Sequence, residues 1–330
     1  MAGRRKGEGN FKQIDREFVM SKRLALLGAA FVLLGQPAAQ AAWPEKPITV
    51  TVGFGAGGTT DVVARAVADL VSKKLGQPVV IENRPGAGGA VAATALTKQP
   101  ADGYNLVATT STTITLDPQV TKLGFGLDDF TYVAATGEFP EAFIALPKSG
   151  WKTLKDAIEA TKASGGKTTY ASSTSLDRMI TAALGKKTGV QFVPVPTRSG
   201  AEVVTQVMGG HTPLGYSSGA YYPQAKSGEV AALAVLGEKR LKGLPDVPTL
   251  KELGYGLSSV NLILFVAPKG LPEEVAKPLY AAFSAAAADP AITALMENRS
   301  LNAFVATGDD LAKTIAGQSE SFRQLLEASK

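Results

Sequence analysis

Apolar positions along this chain alternate between two spacings, and that alternation predicts its architecture. Residues 48–52 are a short run rich in β-branched side chains and read as a strand. From 61 to 75, Val62, Val63, Ala66, Val67, Leu70, Val71 and Leu75 recur at helical spacing. Arg65 and Asp69 share the other face four residues apart, and Gly76 marks the stop. Residues 79–82 predict a second strand, 90–97 a helix and 106–109 a third strand. That β-α-β-α-β order predicts an α/β fold with a parallel sheet.

The same grammar returns further on. Strands are predicted over 143–146, 168–171, 191–195, 214–216, 231–235 and 262–267. Thr153 with Asp156, and Ser199 with Glu202, have the spacing of capping boxes that open helices, and another helix runs from Ser175 to Lys187. Three helices close the chain, from Pro272, from Asp289-Pro290, and from Thr307 with Asp310 as its capping partner.

Between strands and helices lie two kinds of loop. Gly53-x-Gly55-x-x-Gly58 follows a strand, opens a helix and has Glu82 at the end of the next strand, which is the spacing of a dinucleotide fingerprint. A second glycine turn at residues 85–89 has no place in that fingerprint, so no cofactor is expected. The physical content remains: small residues let an anion approach the free N–H groups of a helix N-terminus. This nominates Phe54, Gly55, Ala56, Gly57, Gly58 and Thr59 as ligand-binding residues, with Asp61 as a helix cap. Hydroxyl-rich stretches at other strand ends add Thr109, Thr110 and Ser111, then Ser172, Ser173 and Thr174, then Ser217, with Arg198 and Ser199 beside them. Taken singly, each is as well explained as a cap or a turn. Together they describe a polar crevice at the carboxyl ends of strands.

Catalytic chemistry finds little support. His211 is the only histidine and sits in a Gly-Gly-His turn, there is no cysteine, and no H-E-x-x-H or acidic cluster suggests a metal. No enzyme, catalytic residue or metal site is therefore expected.

The N-terminal region changes the reading of charge and compartment. Met20-Ser21-Lys22-Arg23, an apolar run over 24–35 and Ala39-Gln40-Ala41 form the three parts of a cleaved secretory signal, preceded by a polar extension. Residues 1–41 hold seven basic side chains and three acids, so four of the chain's five net positive charges leave with them. The remaining charge gives no electrostatic case for nucleic acid. The remaining 289 or so residues exceed one ordinary core, which favours two domains.

Four segments then carry a specific resemblance. WPEKPITVTVGFGAGGTTD (43–61), LGQPVVIENRPGAGG (75–89), DGYNL (102–106) and LPDVPTLKELG (244–254) resemble the solute-binding receptors of tripartite tricarboxylate transporters, the Bug-type receptors. The resemblance implies a type II periplasmic-binding-protein fold, with two α/β lobes joined by two crossing strands. It places one lobe at 42–140 plus 265–330 and the other at 141–264. Residues 54–60 would hold one carboxylate largely through backbone N–H groups, and residues 172–175 and 198–201 would close over the rest. The implied protein is a periplasmic monomer that captures a di- or tricarboxylate for membrane permease subunits. A same-fold sensory receptor acting on a membrane kinase is the alternative, with an exported α/β hydrolase behind it. Two departures leave the ligand open. Arg178 stands where the commoner second-lobe pattern has a histidine, and Pro196-Thr197-Arg198-Ser199-Gly200 replaces the usual P-Y-K-G ending.

N-terminal sequencing of the exported protein should read Ala42, within a residue or two. A chain that keeps residues 24–41 would contradict the soluble-receptor reading.

Overall fold

A computed structural model describes residues 43–329, and the chain from Lys46 onward forms one compact unit. The signal segment and its cleavage point lie outside the described residues.

The chain opens with β1 (Ile48–Val52), α1 (Thr59–Leu75), β2 (Val79–Asn83), α2 (Ala90–Leu96) and β3 (Asn105–Thr110). β1 pairs in parallel with both β2 and β3. Val63, Ala64, Val67 and Val71 form the buried stripe of α1, and Gly76 ends it in the left-handed region by returning its N–H to the Ser72 carbonyl. Arg65 does not pair with Asp69. It turns one helical turn the other way, to Asp61 at 3.0 Å and to the Asn83 side chain.

Two short helices follow, α3 (Ser111–Thr115) and α4 (Asp117–Val120), and then the nine-residue β4 (Phe130–Glu138). The sequence reading has no strand over 130–138, because Ala134, Ala135 and Gly137 carry little strand signal. At Gly137 smallness is a packing requirement. A Cβ on Gly137 would stand 2.8 Å from the Met296 sulfur.

A second sheet is built from β5 (Glu141–Ala145), α5 (Leu154–Ala163), β6 (Lys167–Ser172), α6 (Ser175–Thr188), β7 (Gln191–Pro196), α7 (Gly200–Met208), β8 (Leu214–Ser218), α8 (Tyr222–Ser227) and β9 (Ala231–Val235). Its order is β7-β6-β8-β5-β9, with β6 parallel to β7 and β8, and β5 antiparallel to β8 and β9. The Thr153–Asp156 capping box forms as the spacing predicts.

The chain then returns as β10 (Leu262–Pro268), α9 (Glu273–Ala287), α10 (Pro290–Asn298), β11 (Asn302–Thr307) and α11 (Gly308–Ser329). Every residue of β10 is buried, as befits a strand set between β3 and β4. β11, also absent from the sequence reading, pairs antiparallel with β4 and completes the order β11-β4-β10-β3-β1-β2.

The two sheets are the layers of a two-lobed fold, and the chain passes between them twice. It leaves after Glu138 and enters β5 at Glu141; it returns through residues 236–261. The passages touch where the Phe139 N–H donates to the Asn261 carbonyl at 2.8 Å and the Leu236 N–H to that of Glu141 at 3.0 Å. The apolar core of the second sheet also takes in Leu116, from the α3–α4 corner, and Phe322, from α11.

Both glycine turns meet at one backbone contact. A Cβ on Gly53 would lie 2.8 Å from the Gly89 Cα, and one on Gly89, at φ 98°, would lie 2.5 Å from the Thr109 hydroxyl. Gly55 has open space instead. Gly53→Ala should therefore cost about 1–3 kcal/mol in urea denaturation, while Gly55→Ala should stay within about 0.5 kcal/mol. Equal effects would contradict the packing of the two turns.

Candidate functional site

The first wall of the site is the turn after β1. Gly57 adopts φ 79° and donates its N–H to the Asp61 carboxylate at 2.8 Å. Asn83, at the end of β2, donates to the Phe54 carbonyl at 3.0 Å and to Asp61 at 2.8 Å. The sequence places Asp61 as a cap at the helix start. The structure corrects this: α1 begins at Thr59 with Gly58 as its N-cap, and Asp61 reaches back from within the first turn. Gly58 has φ −68°, so only Gly57 of this pair requires the left-handed region. Gly55, Ala56 and Gly58 are exposed and Phe54 and Thr59 half-buried. The N–H groups of Thr59 and Thr60 have no hydrogen-bond partner among the described residues, as expected at a helix start. Burial raises the Asp61 carboxyl, yet donors from Arg65, Gly57 and Asn83 outweigh it and hold it below the usual aspartate range. That carboxylate is covered by its own donors.

The second wall is the hydroxyl-rich segment after β3. Thr109 and Thr110 end the strand, and Ser111 begins α3, so the predicted loop is a strand end running straight into a helical turn. Thr109 and Thr110 both bond the Thr113 hydroxyl, which donates to the Gly88 carbonyl at 2.7 Å. Ser111 accepts the Leu262 N–H at 3.0 Å. These hydroxyls brace the glycine turns and the returning strand.

The second lobe is organised by Asp177, a wholly buried carboxylate. It accepts from the Ser172 hydroxyl at 2.6 Å, from the Ser173 and Thr174 N–H groups at 2.8 Å each, and from the Tyr170 hydroxyl at 3.2 Å. Thr174 and Asp177 form a capping box for α6, a signal present in the sequence as T-x-x-D but read there as ligand-binding loop. Burial pushes the Asp177 carboxyl up, while Ser172, the two N–H groups and Arg178 pull against it.

Ser199 caps α7 through its hydroxyl, which accepts the Glu202 N–H at 3.2 Å. The Glu202 carboxylate accepts from the Arg198 N–H at 2.8 Å, so the expected reciprocal bond to Ser199 is displaced by one residue. Arg198 is exposed, and its guanidinium has no partner among the described residues. Ser217 is fully buried with an unpartnered hydroxyl, close beside Gly200 at the start of α7. His211 is exposed in the turn after α7.

Two residues outside the sequence-derived set link the lobes. Asp117, at the start of α4, lies beside the Gly88 turn and receives a hydrogen bond from Ser175 of α6, with Arg178 nearby. Burial raises its carboxyl despite both neighbours. Arg178 also spans Ser172 and Ser175 at 3.4 and 3.3 Å. Arg178 is legible beforehand as the departure from a histidine; Asp117 looks like an ordinary Asp-Pro helix start.

Helix N-termini and small, polar loops thus lie at the carboxyl ends of strands in both sheets, and similarity to known proteins identifies the class as a two-lobed solute-binding protein. The family model described as "Tripartite tricarboxylate transporter family receptor" matches residues 63–330, and the chain belongs to that family, the Bug-type receptors. It is 35% identical over 276 residues to the UPF0065 protein in the gbd 5' region of Cupriavidus necator, covering 82% of this chain and 84% of that one. It is 31% identical to protein BugT of Bordetella pertussis, covering 86% and 84%. Among solved structures, Rpa4515 of R. palustris with adipate superposes with a TM-score of 0.76 at 25% identity, covering 87% of this chain and 98% of that one. MatC of Rhodopseudomonas palustris with bound malate gives 0.74 at 26%, covering 86% and 99%. The family and these neighbours are solute-binding proteins, not enzymes.

Removing Asp61 strands the Gly57 N–H and the Asn83 amide. Asp61→Ala should therefore lower unfolding stability by about 1–3 kcal/mol at neutral pH. The carboxylate's contribution is present above the ordinary aspartate value and is lost as pH falls through the lower folded value, so wild type and variant should converge in acid. Urea titrations at neutral and acid pH read both; a gap that persists in acid would contradict the ionised contact.

Proposed function

We propose that this chain is a periplasmic receptor that captures a small di- or tricarboxylate between its lobes. As a monomer, it would deliver that ligand to the membrane permease subunits of a tripartite tricarboxylate-type transporter. One observation carries the reading: helix N-termini with uncommitted N–H groups at the carboxyl ends of strands in both sheets. Thr59 and Thr60 of α1 offer theirs from one lobe, and Gly200 and Ala201 of α7 from the other. An anion placed there gains hydrogen bonds and the favourable end of the helix dipole without meeting a bulky side chain.

The division of labour follows from which groups are committed. Ser111, Ser172, Thr174 and Ser199 spend their hydroxyls on the fold, and Thr109 and Thr110 brace the Gly88 turn. The N–H groups of Gly55, Ala56 and Thr59, the Ser173 and Ser217 hydroxyls and the Arg198 guanidinium remain available to ligand, whereas the Gly57 N–H is committed to Asp61 and that of Gly58 to the Gly55 carbonyl. The exposed Arg198, just before the start of α7, is the candidate partner for a second carboxylate, and the adipate and malate complexes of the neighbours make a dicarboxylate the first ligand class to test. The predicted export signal and the transporter family support the periplasmic setting.

A thermal-shift screen against C4 to C6 dicarboxylates, tricarboxylates and aromatic dicarboxylates should return a ligand that raises the melting temperature, because it binds only the native state. With that ligand, calorimetry on Gly57→Val should show a loss of more than about tenfold. The site there has room for a side chain, so the loss would come from the positive φ that a β-branched residue resists. Arg198→Ala should cost roughly 1.5–3 kcal/mol, or one to two decades, if a charge-assisted bond is lost. Full affinity in Gly57→Val would contradict the assignment of the first wall.

A further inference from the structure

Where the chain crosses between the sheets, it buries an acid that no part of the capture reading uses. Glu141 is 2% exposed at the start of β5. Its carboxylate accepts from the Asn261 amide at 2.9 Å and from the Ser218 hydroxyl at 2.8 Å. Asn261 lies on the returning passage, and its other amide atom accepts from Thr112 of α3 at 3.3 Å. Thr112 joins Thr110, Thr110 joins Thr113, and Thr113 donates to the Gly88 carbonyl. A series of close polar contacts thus links the end of β8 in one lobe, through both passages, to the second glycine turn of the other; three hydroxyls serve its last four links, so Thr110 donates to either Thr112 or Thr113 at one time.

We propose that Glu141 is a positioning residue whose protonation is coupled to ligand capture, so that carboxylate binding takes up a proton at the lobe crossing. This rests on the carboxylate reading above. Ser218 follows Ser217, the buried hydroxyl left free beside Gly200 in the second lobe, and Asn261 leads to the threonines of the first lobe that brace the Gly88 turn. The groups facing Glu141 are Asn261 from the returning passage, Tyr216 and Ser218 from β8, Tyr221 from the turn after β8, and Asp177 from α6. The Tyr216 hydroxyl lies close without reaching hydrogen-bond geometry. No cation stands among these groups. An anionic ligand arriving between the lobes therefore adds negative potential to a carboxylate with nothing positive to offset it among these groups.

Burial raises the Glu141 carboxyl to about 7, against the opposing hydrogen bonds of Asn261 and Ser218 and the nearby Tyr216 hydroxyl, with the Asp177 charge adding to the rise. The crossing thus titrates near neutrality. Linkage is reciprocal: if ligand raises the proton affinity of Glu141, protonation raises the affinity for ligand by the same factor. The sign follows. Affinity is greatest where Glu141 is protonated in the free protein, and falls as pH rises through about 7, by up to roughly tenfold per pH unit while one proton is taken up. A basic shift would loosen the ligand without any change in the residues that touch it.

The test is calorimetry on the full mature chain with the best carboxylate from the screen. Affinity is measured from about pH 5.5 to about pH 8.5, and near neutrality in two buffers of different ionisation enthalpy. The expected result is a falling affinity and net proton uptake in the wild type, and a pH-flat affinity in Glu141→Gln, which is neutral throughout. Folding of the variant has its own readout. A folded-state value above the ordinary glutamate value makes wild-type stability fall as pH rises from about 4.5 to about 7, and Glu141→Gln should lack that fall. Should the variant fail to fold, the two-buffer measurement on wild type still decides. Tight binding with zero proton uptake overturns the proposal and leaves the carboxylate reading standing. A slope that survives in Glu141→Gln assigns the proton elsewhere and overturns it too. Failure of every carboxylate to bind at any pH removes the reading and this proposal together.

Discussion

Two strands of chain lying side by side at residues 138–141 and 259–262 impose the constraint on which the rest of this structure depends. A sheet built from consecutive β-α-β units puts its ligand-accessible ends on one edge. Two such sheets form a cleft only if the chain leaves and re-enters so that those edges face each other. Here the passages are tied by the Phe139–Asn261 backbone bond and the Leu236–Glu141 bond, and the Glu141 side chain bridges them to β8. Burying a carboxyl at that point is costly unless its oxygens are satisfied, and both of them are. Leu116 and Phe322 extend the second-sheet core across the same junction.

The proposed site uses backbone more than side chains. An anion at a helix N-terminus needs N–H groups, small neighbours and little competing negative charge. The acids nearest the walls are all engaged in holding them: Asp61 with Gly57 and Asn83, Asp177 with α6, and Asp117 with Ser175. These carboxylates are spent on the loops, and the loops in turn present donors to the cleft. On the proposed reading, shape is fixed by internal hydrogen bonds, and ligand preference would fall to Arg198 and the hydroxyls left free.

Much of this was legible along the chain because local rules were strong where they applied. The apolar stripe of α1 with its terminal Gly76, the T-x-x-D box at Thr153, and the β-branched runs of β1 and β7 each announce themselves within a few residues. Strands β4 and β11 did not, since Ala134, Ala135 and Gly137 carry little strand signal and are set by pairing with β10 and β11, which lie far away in sequence. The site residues divide in the same way. Glycine turns are visible because φ and close approach restrict what fits. By contrast, the roles of Asp117 and Glu141 exist only once two sheets are placed together. The hydroxyl clusters were visible as composition, but composition does not tell a hydroxyl that braces a turn, such as Thr113, from one left free, such as Ser217.

The central claim is that an anionic carboxylate rests on main-chain N–H groups at the start of α1. Amide chemical shifts of the 15N-labelled mature chain, titrated with the screened carboxylate and with its neutral amide analogue, test it most directly. The account predicts large downfield shifts at Thr59 and Thr60 with the carboxylate and little change there with the amide. Shifts absent from both residues while the carboxylate binds elsewhere would contradict it.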